Sequence, residues 1–190
     1  KSAKAISNVV ARKAISLLSE GVRDGAAARA ASDYLYTYRS GKVLATLNIL
    51  SIDLLSKTMV VVRNNPTPLI LIRDDSIEIL DDPIEPVGIR RQIRPSIKEI
   101  PLAPGLAAVV YTDGLTYAGD RRGERMDVVS CVEDLLAEGA PNPERWANHL
   151  LKTAIKLDEG RPVDDISILV LAILPRNNDE SRTLKVRMPL

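Results

Sequence analysis

The sequence has no phenylalanine, one tryptophan, one histidine and one cysteine among its 190 residues. With Cys131 alone, no intramolecular disulfide can form, and the composition fits a reducing compartment. The thiol falls in the helical pattern Val-Val-Ser-Cys-Val-Glu-Asp-Leu-Leu and reads as a buried structural group. His149 lies in a second helical pattern with no other His or Cys near it, so it reads as a packed or surface residue and not as a metal ligand. Trp146, on the same helix, reads as a core or interface anchor. Aromatic residues total 3%, which leaves Leu, Ile, Val and Ala to fill the interior. No apolar run approaches the roughly 20 residues needed to cross a bilayer, and no signal-peptide pattern is present, so a cytoplasmic protein is expected. Also missing is an excess of one charge: 26 basic and 25 acidic residues give a formal net charge of +1. That balance gives no electrostatic footprint for nucleic acid or an anionic membrane. The short basic pairs Arg90-Arg91 and Arg121-Arg122 read as solvated surface. No Ser-His-Asp set, P-loop or dinucleotide-binding glycine pattern occurs, which leaves those enzyme classes without support.

What remains is an ordinary globular composition, 45% hydrophobic, in a chain long enough to bury a sizeable core. Residues 1–18 carry Ile6, Val9, Val10, Ala14, Leu17 and Leu18 at the spacing of one helix face, and Gly21 stops that helix. A second, Ala-rich helix is expected from Asp24 to Tyr38, with Tyr34, Leu35 and Tyr38 on one packed stripe. Leu44 to Asp53 and Thr58 to Arg63 form a hairpin pattern. Asn64-Asn65-Pro66-Thr67-Pro68 is a turn, and a second hairpin is expected from Leu69 to Leu80 around Asp74-Asp75. Asp81 to Pro95 reads as an irregular loop or flap. Strands follow at Ser96–Ile100 and Leu106–Thr112. Helices are expected from Met126 to Glu138 and, capped by Asn142 with Pro143 at its first position, to about Asp158. Ile166 to Leu174 reads as a central strand. Residues 175–190 read as a polar turn and a C-terminal edge strand over Thr183–Met188. The order predicts an α+β domain with helices packed on sheet.

Two acidic sites sit at strand margins. The strand from Leu106 runs into Asp113-Gly114, and Asp164-Asp165 immediately precedes Ile166. A carboxylate at the end of an apolar strand is costly unless paired, and a hard divalent cation such as Mg or Mn offsets that cost. Gly114 permits a close backbone approach or a positive φ. Either site alone also reads as a turn or loop cap.

The run Pro101-Leu-Ala-Pro-Gly-Leu-Ala-Ala-Val-Val-Tyr-Thr-Asp-Gly-Leu resembles the "YTDG" phrase of SpoIIE-type bacterial phosphatases, a branch of the metal-dependent protein phosphatases (PPM, type 2C). Asp164-Asp165-Ile-Ser-Ile-Leu-Val-Leu resembles that family's closing "DDxT" motif. Residues 47–70 are similar to its middle segment, and Pro86-Val87-Gly88 sits at its flap signal. The resemblance implies an αββα sandwich over residues 1–174, with residues 175–190 completing the same domain. It implies two Mn or Mg ions and a metal-activated water that hydrolyses phosphoserine or phosphothreonine on a regulatory protein of the anti-sigma-factor antagonist type. By motif position Asp113 and Asp164 would be ligands, Asp165 a weaker ligand or a residue orienting a bound water, and Gly114 part of the site backbone. An upstream sensor domain, with residues 1–18 as its coupling helix, also follows from the resemblance, and a homodimer is left open. The sequence departs from the family in two places. It has no Asp-Gly-x-Gly-x-Gly stretch, and Arg63-Asn64-Asn65 stands where Ala-Gly-His is usual. Because the chain opens on Lys1, a fragment lacking its N-terminal strands is expected. The alternative reading is a phosphatase-like module that binds partners without catalysis.

Overall fold

The computed structural model describes residues 2–175. Its elements are α1 (Ser2–Ser19), α2 (Asp24–Arg39), β1 (Leu47–Asp53), β2 (Thr58–Asn64), β3 (Leu69–Arg73), β4 (Ser76–Leu80), β5 (Ser96–Pro101), β6 (Ala107–Tyr111), α3 (Asp113–Thr116), α4 (Val128–Ala137), α5 (Pro143–Leu157) and β7 (Ile168–Ala172), with a 3-10 turn at Asp120–Arg122. The expected strand over Thr183–Met188 and the turn before it lie outside the described residues.

The strands form two antiparallel sheets, ordered β1-β2-β5 and β4-β3-β6-β7. Side chains alternate across a strand with period two, and here each parity meets a different layer. On β2, Val62 packs with Ile6, Val10, Ala28, Ala31 and Leu35 of the first two helices, while Met59 and Val61 face the other sheet. On β3, Leu69 and Leu71 join that inter-sheet core, and Ile70 and Ile72 turn outward to meet Trp146, Leu150 and Val132. Helix pair, sheet, sheet, helix pair is thus the layer order: the αββα sandwich that the family resemblance implies, with three apolar cores between four layers. Each fully buried Leu, Ile or Val contributes about 1.5–3 kcal/mol to this packing.

Three strands cover four. The Lys98–Glu78 ion pair sets β5 against β4, so that among the described residues no strand lies opposite β7. Leu169, on the inter-sheet face of β7, is accordingly 52% exposed. The expectation of a central strand here is therefore corrected: among the described residues β7 is an edge strand, and its apolar run reflects faces rather than neighbours. A second correction concerns α2. Leu35 is fully buried, but Tyr34 and Tyr38 are 44% and 56% exposed and stack on one another with centroids 5.9 Å apart. Residues four apart share a face, and here that face is wet.

The ends of the elements follow local chemistry. Asp74 and Asp75 both take positive φ in the β3–β4 turn, as a tight two-residue hairpin connection requires. Asn142 caps α5 by accepting from the Arg145 N–H at 3.0 Å, with Pro143 at the first helical position. Asp127 does the same for α4: its Oδ1 accepts from the Ser130 N–H at 3.0 Å and its Oδ2 from the Ser130 hydroxyl at 2.8 Å. Those bonds hold the Asp127 carboxyl below the usual carboxylate range. A depressed folded-state pKa means that this contribution is present above the ordinary carboxylate pKa and is lost as pH falls through the depressed value. Asp127→Ala is therefore expected to cost about 1 kcal/mol at neutral pH, read by urea unfolding, with the deficit against wild type shrinking in acid.

Candidate metal centre

β6 and β7 are neighbours, paired from Ala107↔Ala172 to Tyr111↔Ile168. The C-terminal end of one and the N-terminal end of the other therefore meet at the same edge of the sandwich. Past the paired strands the backbone contact continues. The Thr112 N–H donates to the Ser167 carbonyl at 3.1 Å, the Ser167 N–H donates to Thr112 Oγ1 at 2.9 Å, and Thr112 Oγ1 donates to the Asp165 carbonyl at 3.1 Å. Thr112 thus stitches one acidic loop to the other.

Asp113 does not sit in an extended margin, as the sequence reading has it, but opens the short helix α3. Gly114 follows in the helix and is buried against the backbone of the other loop. A Cβ at this position would stand 2.5 Å from the Asp165 carbonyl oxygen and 3.0 Å from its carbon. Of the two reasons for glycine, close approach is the one realised; Gly114 is not among the residues with positive φ. The three carboxylates are exposed to solvent. Asp164 Oδ1 also accepts from the Asp165 N–H at 2.8 Å, which folds the Asp-Asp turn on itself.

All three are hard oxygen donors, the chemistry that Mg and Mn prefer, and their loops are fastened side by side. In that respect they fit a divalent ion as part of a ligand set. They do not close a cage: among the described residues no three acidic, His or Cys side chains are gathered closely enough to hold a metal. Tyr111, next to the site but turned into the core, has its phenol pushed up to about 12 by burial, with Asp127 adding to the shift, so it stays protonated. The Cys131 thiol is raised by partial burial, then by Asp127 and Asp134, which disfavours the thiolate. His149 is exposed and Trp146 fully buried.

One feature of this end of the sandwich is invisible in the composition. The register places Arg63 opposite Asn48, and its alternation with Met59 and Val61 turns it between the sheets. Arg63 is 1% exposed, donates from Nη2 to the Asp82 carbonyl, and has no partner on Nε or Nη1; Asn48 Oδ1 and Asn64 Oδ1 are also unpartnered. Burial lowers its pKa, with Asp82 and Asp81 opposing. A buried cation so poorly compensated costs more than it returns. Arg63→Met is expected to raise stability by roughly 1–2 kcal/mol in urea unfolding. The flap remains tied by Asn64 Nδ2 to the Glu85 carbonyl, the Ala45–Val87 bridge and the Gly88 N–H to Ser32 Oγ. The signal in the sequence was the departure at Arg63-Asn64-Asn65, which marks the position but not its burial.

The family model described as Stage II sporulation protein E (SpoIIE) matches residues 2–174. No curated protein sequence matches the chain. Among solved structures, it is similar to the PP2C phosphatase domain with a fragment of the regulatory domain of SpoIIE from Bacillus subtilis, at TM-score 0.72 and 20% identity, over 88% of this chain and 49% of that one. It is also similar to the RsbU and RsbW domains of Rv1364c from Mycobacterium tuberculosis, at 0.64 and 18%, over 87% and 46%. The catalytic domain of the serine/threonine phosphatase PstP in complex with two manganese ions superposes at 0.66 and 14% identity, over 90% and 82%. The chain thus spans about half the length of the SpoIIE and Rv1364c chains. At these identities the structures establish the fold.

Proposed function

Because the chain belongs to the SpoIIE family of PP2C-type serine/threonine phosphatases, we propose that its acidic edge contributes to a metal-dependent phosphoserine or phosphothreonine phosphatase site. The observation that carries the reading is the contact of Gly114 with the Asp165 backbone, which puts Asp113 and the Asp164-Asp165 turn side by side. Asp113 and Asp164 would hold a Mn or Mg ion, and Asp165 would bind more weakly or orient a water by accepting its hydrogen bond. Held by these residues, such an ion would supply a water of lowered pKa and offset charge on phosphoryl oxygens. Thr112 and Gly114 hold the backbones of the two loops together.

The ligand set needs a further carboxylate. The family's Asp-Gly-x-Gly-x-Gly stretch has no counterpart in residues 1–190, and among the described residues no strand lies beside β1 to cover β7. We therefore place full activity in a longer form of the protein, acting on a phosphorylated regulatory protein in the cytoplasm and answering to an upstream sensor domain. The solved chain that joins RsbU and RsbW domains supports the choice of a regulatory partner. No helix among the described residues is long and apolar enough to cross a membrane.

The replacement of Ala-Gly-His by Arg63-Asn64-Asn65 favours a second reading, a non-catalytic phosphatase-like module that binds a partner. Turnover of a phosphoserine peptide by an N-terminally extended protein separates the two. Mn-dependent release of phosphate is expected; its absence, with the Asp-Gly stretch present and the domain folded, would leave the binding module.

A further inference from the structure

The two chain segments that carry the acidic edge run on together past it. The Gly119 N–H donates to Asp158 Oδ1 at 2.8 Å, and the Val163 N–H to Asp158 Oδ2 at 3.3 Å. The 3-10 turn after α3 is thereby held against the loop between α5 and Asp164. Between them lies a surface pocket of about 550 Å³, lined by Arg121, Arg122, Asp158, Glu159 and Arg161.

The charges of this pocket do not cancel. Asp158 is held by the two backbone N–H groups, and Glu159 pairs with Arg122. Arg125, nearby, pairs with Asp120 and covers the Tyr117 ring. Arg121 and Arg161 have no ion-pair partner among the described residues. The lining thus carries three guanidinium groups against two carboxylates, a net positive pocket in which Arg121 and Arg161 are not engaged in an ion pair. A guanidinium is a rigid fork of donors matched to carboxylate oxygens.

Position makes the pocket more than solvated surface. Arg161 precedes Asp164 by three residues, so the backbone between them spans at most about 10 Å. An extended peptide advances about 3.3 Å per residue. A phosphoserine at the acidic edge therefore leaves the pocket within reach of side chains up to three or four residues away. We propose that Arg121 and Arg161 form a docking pocket for an acidic side chain of the phosphoprotein substrate, within about four residues of its phosphoserine. This rests on the reading of the acidic edge as a phosphatase site, which it extends to substrate selection. A cationic pocket also offsets the repulsion between the exposed aspartates and an acidic substrate, steering it onto the site.

The test is fluorescence anisotropy on the 190-residue protein with Mn present, using labelled phosphoserine peptides that carry either Glu or Gln four residues from the phosphoserine. The Glu peptide is expected to bind roughly fivefold more tightly at low salt, and the preference to vanish at about 0.5 M salt. Arg121→Gln with Arg161→Gln erases the preference, weakening the Glu peptide more than the Gln peptide. Arg145→Gln, on a paired arginine at the far end of α5, leaves the preference intact. Equal affinities in the wild type, or a preference that survives the double substitution, overturn the proposal. A serine version of the Glu peptide, measured on the N-terminally extended protein, reports on the acidic edge separately: there a phosphate that adds nothing to affinity in Mn contradicts the phosphatase reading, whatever the arginines do.

Discussion

Gly114→Ala is expected to destabilise the protein by about 2–3 kcal/mol and to abolish Mn binding at the acidic edge. In a domain of this size that loss lowers Tm by roughly 5–10 °C. The cost does not come from φ, since Gly114 is not a positive-φ position. It comes from what the added methyl meets: the Asp165 carbonyl oxygen at 2.5 Å and its carbon at 3.0 Å, both backbone atoms fixed by the Thr112 stitch. Neither can rotate away, so the two loops must part. Gly25 provides the contrast. A Cβ there would come still closer to a neighbour, but that neighbour is Cδ1 of Ile97, the tip of a side chain that is 50% exposed. Ile97 can swing outward, and alanine improves on glycine inside a helix by up to about 1 kcal/mol. Gly25→Ala is therefore expected to be neutral or mildly stabilising in the same thermal scan. A ranking by distance alone reverses the order, and the pair of variants decides whether backbone or side-chain contact governs the cost.

Asp113→Asn and Asp164→Asn are expected to abolish Mn binding while leaving stability within about 0.5 kcal/mol of wild type. Both residues are exposed, so neither deletion leaves a buried group unpaired. Asparagine keeps an Oδ1 acceptor for the Asp165 N–H that Asp164 now receives, so the turn survives the substitution. What is removed is charge, and a hard cation that has shed water depends on charge more than on shape. Asp120→Asn is the control. Asp120 lies seven positions along from Asp113 but is engaged by Arg125 at 2.9 Å, and its loss leaves Mn affinity unchanged. Titration calorimetry on the N-terminally extended protein measures all three. An Asp113→Asn variant that binds Mn as wild type does would remove Asp113 from the site.

Much of this was legible in the sequence where the determining chemistry is local. The Asp74-Asp75 turn, the Asn142-Pro143 cap and the helix stripe of Ile6, Val10 and Ala14 are each set by residues a few positions apart. The two acidic margins were legible for the same reason, as carboxylates abutting apolar runs. What escaped depends on partners distant in sequence. The apolar run at β7 suggests burial on both faces, yet a strand's place in its sheet is decided by which other strands exist, and among the described residues none covers Leu169. Tyr34 and Tyr38 are apolar enough for a core and polar enough for a surface, and only the packing of Leu35 tells which face is inward. Arg63 was marked by its departure from the family phrase, but its burial needs the register against Asn48. Gly114 was read as either a strained or a crowded glycine, and the contact with Asp165 selected the second.

The central claim is that Asp113 and the Asp164-Asp165 turn form one metal-binding edge. Paramagnetic broadening tests it most directly, because Mn quenches the amide signals of residues near where it binds. The account predicts that substoichiometric Mn added to the isotope-labelled 190-residue protein, weak though its binding will be, broadens the amides of Asp113–Leu115 and Asp164–Ser167 together, with Mg competing. Broadening of one loop without the other, or of acidic turns elsewhere such as Asp74-Asp75 at the same Mn concentration, would contradict it.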